Sequence, residues 1–537
     1  MSRTIFMLAA ATVLIGTAAP ASAQDPDRVK ALIQQALAQQ GQPPPAATVP
    51  GPTQPASPVV NLTEEEAVNR ASERNLNIAS ERLTPRTFDF SMAAAYAVYR
   101  PTLTSMVRTQ SATQLPNTIF EGGTKVDSDT NNWNGGIQQQ MQWGGGALNV
   151  NFNNSRNFST GTNTAFNPSF NSGLTATYTQ PLLRNFQIDN NRAALLTTRI
   201  SQEVAEINLN ATIASTLAQV RNAYWELVYA YQAVDAAQGS LELASKLVQD
   251  NRSRVEIGTM APIDVVQAQA EEATRRQQLV SAQATLRNNE LALKRLIVSG
   301  TDDELWRATI NPVDRPSVAA EGVDLEGAVR NALGRRTDLE VARRNIDTAN
   351  VNIRTLENQT KPQLDLQGTY QLAGRGGIFN RRSILDPTVT ETFPGGYLDA
   401  LRNIGKLEAP TWSLQMNFSY PIGTSAAEAN VARSKLQLQQ SQAQIKTVEL
   451  QIATEVTSAA LAVRNSLEAM QAAGVARELS QRRLEAAQSK FEVGMATNFE
   501  VVQAQRDLID ARNRELREQL NYQRALVDFQ RVQVSPR

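Results

Sequence analysis

Two carboxylates hold equivalent places in this chain. Asp264 lies six residues past Gly258, and Glu500 lies six residues past Gly494. The rest of the sequence narrows what they can do. It contains no histidine and no cysteine, which excludes a Ser-His-Asp triad, a cysteine nucleophile and any His/Cys zinc or haem site. Gly144-Gly145-Gly146 and Gly374-Arg375-Gly376-Gly377 lack the lysine and following helix of a phosphate loop and read as turns. Paired carboxylates such as Glu271-Glu272 read as solvated helix surface. The chain is therefore expected not to be an enzyme and to hold no cofactor or metal. By residue type, Asp264 and Glu500 are acids in a helix's first turn, where the macrodipole favours them. Gly258 and Gly494 are helix-ending glycines, free to adopt a left-handed conformation and to let a partner backbone approach.

These four residues belong to a longer echo. Val255-Glu256-Ile257-Gly258 runs on to Asp264-Val265-Val266-Gln267-Ala268-Gln269. Phe491-Glu492-Val493-Gly494 runs on to Glu500-Val501-Val502-Gln503-Ala504-Gln505, at a constant offset of 236. A second gapless echo, at offset 261, aligns residues 62–103 with the stretch ending at Leu364. Ala67/Ala328, Val68/Val329, Ala71/Ala332, Arg74/Arg335 and Leu103/Leu364 coincide. An internal duplication this long predicts two structural repeats, at residues 62–323 and 324–537.

Residues 1–23 read as a signal peptide, with Arg3, an apolar stretch at 5–18 and the cleavage site Ala21-Ser22-Ala23. Residues 24–61 form a Pro-rich N-terminal extension, with a short amphipathic helical piece at 25–40 and a linker at 42–58. No later apolar run is long enough to cross a bilayer as a helix. Without cysteine, an exported chain relies on packing rather than disulfides and has no N-terminal lipid anchor. Past residue 23 it carries 51 basic and 52 acidic residues, a net charge of −1, and so has no general attraction for nucleic acid or anionic lipid.

The elements that must position the two glycine–acid pairs are long helices. Residues 181–258 and 421–494 are helical in pattern. Ile213, Leu217, Val220, Tyr224, Leu227, Tyr231 and Val234 recur at alternating spacings of four and three, as do Ile452, Val456, Ala459 and Val463, which is a coiled-coil stripe. Shorter return helices are expected at 258–299 and 325–361, with the second repeat using 494 to the end and 62–100. Thr63 is the expected N-cap of the first helix, with Glu66 three residues on. Residues 300–322 carry Pro312 and Pro316 and cannot be helical throughout.

Residues 101–181 and 362–421 differ in texture. Asn149 to Asn153, Leu174 to Tyr178, Leu364 to Gln367 and Trp412 to Phe418 alternate apolar with polar, the mark of half-buried strands. Asp386-Pro387 and Pro394-Gly395-Gly396 mark a loop, and an external loop is expected within 110–172. An exported chain with alternating strands and no membrane helix suggests a closed β-barrel in an outer membrane. Four strands are too few for a pore, since diameter grows with strand number, so such a chain must oligomerise. A small soluble sheet capping a coiled coil is the alternative. Trp133, Trp143, Tyr370, Trp412, Phe418 and Tyr420 are candidates for interfacial girdles, or for loop and barrel-interior positions.

Over residues 62–532 the chain resembles the TolC-like outer-membrane efflux proteins. The resemblance is carried by the opening from Leu62 to Asn75 and its counterpart from Asp324, and by Arg100-Pro101-Thr102-Leu103 with Lys361-Pro362-Gln363-Leu364. Tyr178-Thr179-Gln180-Pro181-Leu182-Leu183, Phe418-Ser419-Tyr420-Pro421 and the two glycine turns complete it. It implies a mixed α/β membrane protein in a Gram-negative outer membrane, with a long periplasmic extension. In this homotrimer, four strands per chain build a shared 12-stranded β-barrel, and long antiparallel helices form an α-barrel tunnel. It also implies a passive exit duct working with a periplasmic adaptor (membrane fusion) protein and an inner-membrane transporter, in efflux or type I secretion. Ile257, Gly258, Thr259, Val493, Gly494 and Met495 fall where the resemblance implies adaptor docking. Asp264 and Glu500 fall where it implies the periplasmic constriction. Some family members carry a second acid where this chain has Gln267 and Gln503, so the resemblance implies a single ring of acids. The alternative of another class is a soluble periplasmic coiled-coil scaffold.

Overall fold

The computed structural model describes residues 58–116, 124–162, 164–315, 322–382, 389–423 and 425–536. The expected signal peptide, the helical piece at 25–40, nearly all of the Pro-rich linker, Pro316 and Asp386-Pro387 lie outside the described residues.

Two long helices dominate, α4 (Asn190–Glu256) and α10 (Ala426–Glu492), each of 67 residues and so roughly 100 Å long at about 1.5 Å per residue. Each folds back through a glycine turn into a shorter partner, α5 (Pro262–Ile297) after α4 and α11 (Asn498–Val532) after α10. The expected stripes are the packing faces. Val220, Tyr224 and Leu227 on α4 and Ile452, Val456, Ala459 and Val463 on α10 are buried. Asp189 and Ser425 cap the long helices by accepting from the amides of Arg192 and Glu428.

The remaining helical stretches are not continuous, contrary to the expectation at 62–100 and 325–361. The first breaks into α1 (Glu64–Arg74), α2 (Leu76–Glu81) and α3 (Leu83–Ala97), and the second into α7 (Leu325–Arg335) and α8 (Thr337–Gln359). Thr63 and Glu66 form the expected capping box on α1. The breaks fall at Asn75 (φ −64°, ψ 125°) and Arg336 (φ −64°, ψ 126°), 261 positions apart, the offset of the second echo. Each is a buried polar residue whose side chain reaches a carbonyl at the end of a return helix. Asn75 Nδ2 donates to Leu296 O at 2.8 Å, while its Oδ1 caps the amides of Asn77 and Ile78. Arg336 donates to Val532 O at 3.0 Å. The helical phase runs through both positions in the sequence, so only this side-chain demand reveals the break.

Residues 300–315 hold the short α6 (Glu304–Arg307) and a strand, β6 (Thr309–Pro312), which pairs in parallel with β1 (Val59–Leu62). This pair joins the largest core, where Leu62, Tyr224, Leu227, Leu293, Ile297 and Ile310 meet. Tyr224 Oη donates to Leu62 O and Asp314 there, and burial pushes its phenol well above the ordinary tyrosine range.

Among the described residues the other sheet has seven strands: β2 (Thr102–Gln114), β3 (Val126–Gln140), β4 (Ala147–Ser159), β5 (Phe166–Pro181), β7 (Gln363–Arg382), β8 (Val389–Phe393) and β9 (Pro410–Ser419). Every neighbouring pair in the order β2-β3-β4-β5-β7-β9 is antiparallel. The short β8 pairs with residues 379–382 of β7, beyond the rungs of β9. This corrects the expectation of four strands per chain, because six long strands form one sheet. Within 110–172, where an external loop is expected, β3 and β4 take up much of the chain. β4 contains the alternation expected at 149–153, whereas β3 alternates only weakly and is revealed by its pairing with β2 and β4.

Gly144-Gly145-Gly146 is the expected turn, joining β3 to β4. Gly374-Arg375-Gly376-Gly377 is not a turn, because it lies inside β7. The physical reason is α9 (Tyr397–Gly405), whose backbone lies on this strand. A Cβ at Gly374 would sit 2.0 Å from Ala400 O, and one at Gly376 would sit 2.1 Å from Gly396 O, so only glycine admits the helix.

Candidate functional site

The two glycine turns are built alike. Ile257 closes α4, Gly258 takes φ +79°, and the amides of Gly258 and Thr259 donate to Val255 O and Arg254 O at 3.0 and 2.9 Å. Val493 closes α10, Gly494 takes φ +77°, and the amides of Gly494 and Met495 donate to Phe491 O and Lys490 O at 3.1 and 2.8 Å. This paired set of bonds is the Schellman helix end, which satisfies the last carbonyls and requires a left-handed residue at its next-to-last place. Thr259 Oγ1 adds a bond to Arg254 O.

Around these glycines the surface is apolar and open. Ile257 is 73 % exposed, Val493 69 % and Met495 77 %. The turns are neighbours, since the Arg254 guanidinium stacks on the Phe491 ring at 4.4 Å. Asp264 and Glu500 both stand at the third helical position after their caps. Glu500 is committed to a capping box, its carboxylate accepting from the amide and hydroxyl of Thr497 at 3.4 and 3.2 Å. Asp264 follows Ala261, which has no capping side chain. Among the described residues nothing hydrogen-bonds the half-buried Asp264 carboxylate.

About two turns further along α5 the sequence reading fails at Glu271. It is not solvated surface but is 4 % exposed. Its carboxylate receives Arg275 Nε at 2.8 Å from its own helix and Arg506 Nε at 3.0 Å from α11. Arg506 lies 235 positions away, so no local pattern announces the pair. Glu272, its neighbour, faces out to Arg276 and Ser245.

Burial pushes the Glu271 carboxyl up, but Arg506 and Arg275 outweigh it and hold the group below its ordinary value of 4.5. Asp303, buried against Arg70 and Arg74, is likewise held low, with burial opposed by the Leu305 amide and the two arginines. For a depressed carboxyl, the stabilisation is present above the unfolded-state value and is lost as pH falls through the folded one. The α5–α11 contact should therefore loosen as pH drops from 4.5 downward. Amide exchange of α5 and α11 against pH checks this. Glu271→Gln should exchange faster at neutral pH and lose part of the acid dependence. An identical acid profile in both proteins would remove Glu271 from the account.

The sheet presents two unlike faces. On β9, Trp412, Leu414, Met416 and Phe418 share one face and Thr411, Ser413, Gln415 and Asn417 the other. Opposite them on β7 stand Tyr370, Gly368, Leu366 and Leu364, then Gln371, Thr369, Gln367 and Asp365. The apolar residues of β9 are exposed, Trp412 at 76 %. Of the girdle candidates, Tyr370, Trp412, Phe418 and Tyr420 are exposed. Trp143 is an exposed residue of the β3–β4 turn edge-on to Phe186, and Trp133 packs edge-on to Tyr397 of α9 at 5.4 Å. Among the described residues no helix is long and apolar enough to cross a membrane.

The fold resembles solved outer-membrane proteins. The outer membrane protein VceC of Vibrio cholerae superposes with a TM-score of 0.61 at 14 % identity, over 88 % of this chain and 96 % of that one. A membrane protein of Pseudomonas aeruginosa gives 0.62 at 15 % identity, over 88 % and 93 %. In sequence, the chain is 24 % identical over 337 residues to the outer membrane efflux protein BepC of Brucella suis biovar 1 (strain 1330). That match covers 62 % of this chain and spans 65 % of the relative's length. The sequence profile described as outer membrane efflux protein matches residues 146–298 and 328–532, which include both glycine turns, all of α4 and α10 and four of the six long strands. With more than half of its length matched, the chain belongs to the outer membrane efflux protein family.

Proposed function

We propose that this protein is the outer-membrane exit duct of a multi-part export machine. A homotrimer passes cargo passively from a periplasmic adaptor and an inner-membrane transporter to the exterior, by efflux or type I secretion. The observation that carries this reading is the sheet: an exposed apolar face, a polar opposite face and two edges, β2 and β9, with free backbone groups. An open edge in lipid leaves hydrogen bonds unmade, so a chain of this kind is expected to close its sheet with further copies. The alternative of a soluble periplasmic scaffold gives no use to such a face.

Within this reading, residues 1–23 are a signal peptide and 24–61 an extension. Residues 62–323 and 324–537 are duplicated repeats, supported by the equal lengths of α4 and α10 and by the matched breaks at Asn75 and Arg336. The helices form a periplasmic tunnel, and the glycine turns at their ends meet the adaptor through Ile257, Gly258, Thr259, Val493, Gly494 and Met495. Light scattering of protein extracted by detergent from the outer-membrane fraction, with the detergent subtracted, should give three times the chain mass. A soluble monomer or dimer absent from that fraction would replace the channel with the scaffold.

Asp264 and Glu500 would then face a common axis as six carboxylates, a ring that favours cations. Asp264→Asn with Glu500→Gln should lower the cation-over-anion permeability ratio in planar bilayers, by roughly several-fold. Glutamine preserves the capping box at Thr497, so the change reports charge rather than helix fraying. Unchanged conductance and selectivity would dismiss the ring.

A further inference from the structure

Resting on the channel reading, we propose that each copy gives six strands, not four, to the shared barrel. The β3–β4 hairpin spans the membrane beside the others, and β2 of one copy pairs with β9 of the next. Three copies of six strands close a barrel of 18.

The first ground is length and height. β3 and β4 have 15 and 13 residues, against 13 for β2 and 16 for β5, and about 9–11 suffice to cross the hydrocarbon. Their joining turn reaches the helix end of the sheet and is locked there. Met141 N donates to Gly146 O at 2.7 Å, and a Cβ on Gly145 would lie 2.6 Å from Asn185 O, in the segment leading into α4. The hairpin therefore runs the full height of the sheet rather than standing on its outer rim.

The second ground is the pattern across the strands. One transverse row reads Leu103, Ile137, Val150, Ala176, Tyr370, Trp412, each paired with the next. The adjacent row, on the opposite face, reads Thr102, Gln138, Asn149, Thr177, Thr369, Ser413. Residues directly opposite in antiparallel strands share a face, so along the first row the apolar face runs through the hairpin, and along the second so does the polar one. A loop standing in water has no reason to continue either.

The third ground is parity. β2 leaves the helix end and β9 returns to it, with alternating directions between, so the two free edges of neighbouring copies meet antiparallel, as a closed ring requires. A four-strand contribution would need β2 to pair with β5, and that position is held by β3 and β4. Since diameter grows with strand number, an 18-stranded wall encloses an aqueous pore of porin width rather than a narrow one.

The chain lacks cysteine, so single cysteines can be spin-labelled cleanly in the full-length protein. Labels at Ile137→Cys, Gln138→Cys, Asn149→Cys and Val150→Cys are tested in liposomes with oxygen and a nickel chelate. The mass of each sample is measured alongside. A trimer whose 137 and 150 labels favour oxygen, and whose 138 and 149 labels favour the chelate, is the expected result. A trimer in which all four labels meet the chelate equally would put the hairpin outside lipid and overturn the 18-strand barrel while leaving the channel intact. Failure to trimerise in the membrane would overturn both readings.

Discussion

Arg336→Ala should loosen the join between α7, α8, α10 and the end of α11 by about 3–5 kcal/mol, the effect of stripping one partner from a buried ionic cluster. Arg336 is 1 % exposed and spends its donors on four groups. Nε and Nη2 hold Asp338 at 3.0 and 2.7 Å, Nη2 also reaches Glu455 at 2.9 Å, and Nη1 reaches Val532 O at 3.0 Å and Ser535 O at 3.3 Å. Alanine leaves two carboxylates facing one another and returns the last carbonyls of α11 to the unsatisfied state that every helix end must resolve. Lysine keeps the charge but not the planar fork, so Arg336→Lys should recover only part of the loss. Amide exchange at the N-terminus of α8 and the C-terminus of α11 is the measurement, and the expected acceleration for alanine is at least a hundredfold (about 1.4 kcal/mol per tenfold). Protection equal to the parent would mean that packing of Ile452, Val456 and Val532 holds the join without the ion cluster. The partner position offers an internal comparison. Asn75→Ala removes a cap and one bond to Leu296 O, a loss of about 1–2 kcal/mol, so the Arg336 variant should exchange faster.

These two positions also show how far the sequence could be read. The coiled-coil stripes, the capping box at Thr63 and Glu66, and the glycine-ended helices were legible because each is set by residues within about one or two turns. The strands at 174–178, 364–367 and 412–418 were legible because apolar and polar residues alternate cleanly. β3 was not, since Asn131, Asn132 and Asn134 beside Trp133 leave only a weak two-residue period, as strands in a membrane wall commonly do. Glu271 was misread because its partner Arg506 comes from the other repeat. β1 and β6 were missed because four-residue parallel strands far apart in the chain have no local signal. The glycines of β7 were misread because their reason, the backbone of α9, arrives from a different segment. What is local in cause is local in sequence, and the rest needs the fold.

Gly258→Trp combined with Gly494→Trp should abolish crosslinking of the chain to its proposed periplasmic adaptor while the trimer remains assembled. Both glycines have positive φ, which an L-residue adopts at about 1–2 kcal/mol. A Cβ at either meets nothing within 4 Å, so the strain is confined to an exposed turn and the long helices should tolerate it. What tryptophan removes is access. Beside each glycine lie exposed apolar residues, Ile257 and Val493 before and Met495 after, and a partner helix resting on them must come close to the glycine backbone. Two further pairs separate that cause from turn geometry. Asparagine accepts the left-handed conformation at low cost but adds a short side chain in the approach path, whereas alanine adds the least bulk and resists the conformation. If close approach is what matters, crosslinking should fall in the order glycine, alanine, asparagine, tryptophan. If the turn itself is what matters, alanine should be worse than asparagine. Full crosslinking by the tryptophan pair in an intact trimer would place the adaptor contact elsewhere on the helices.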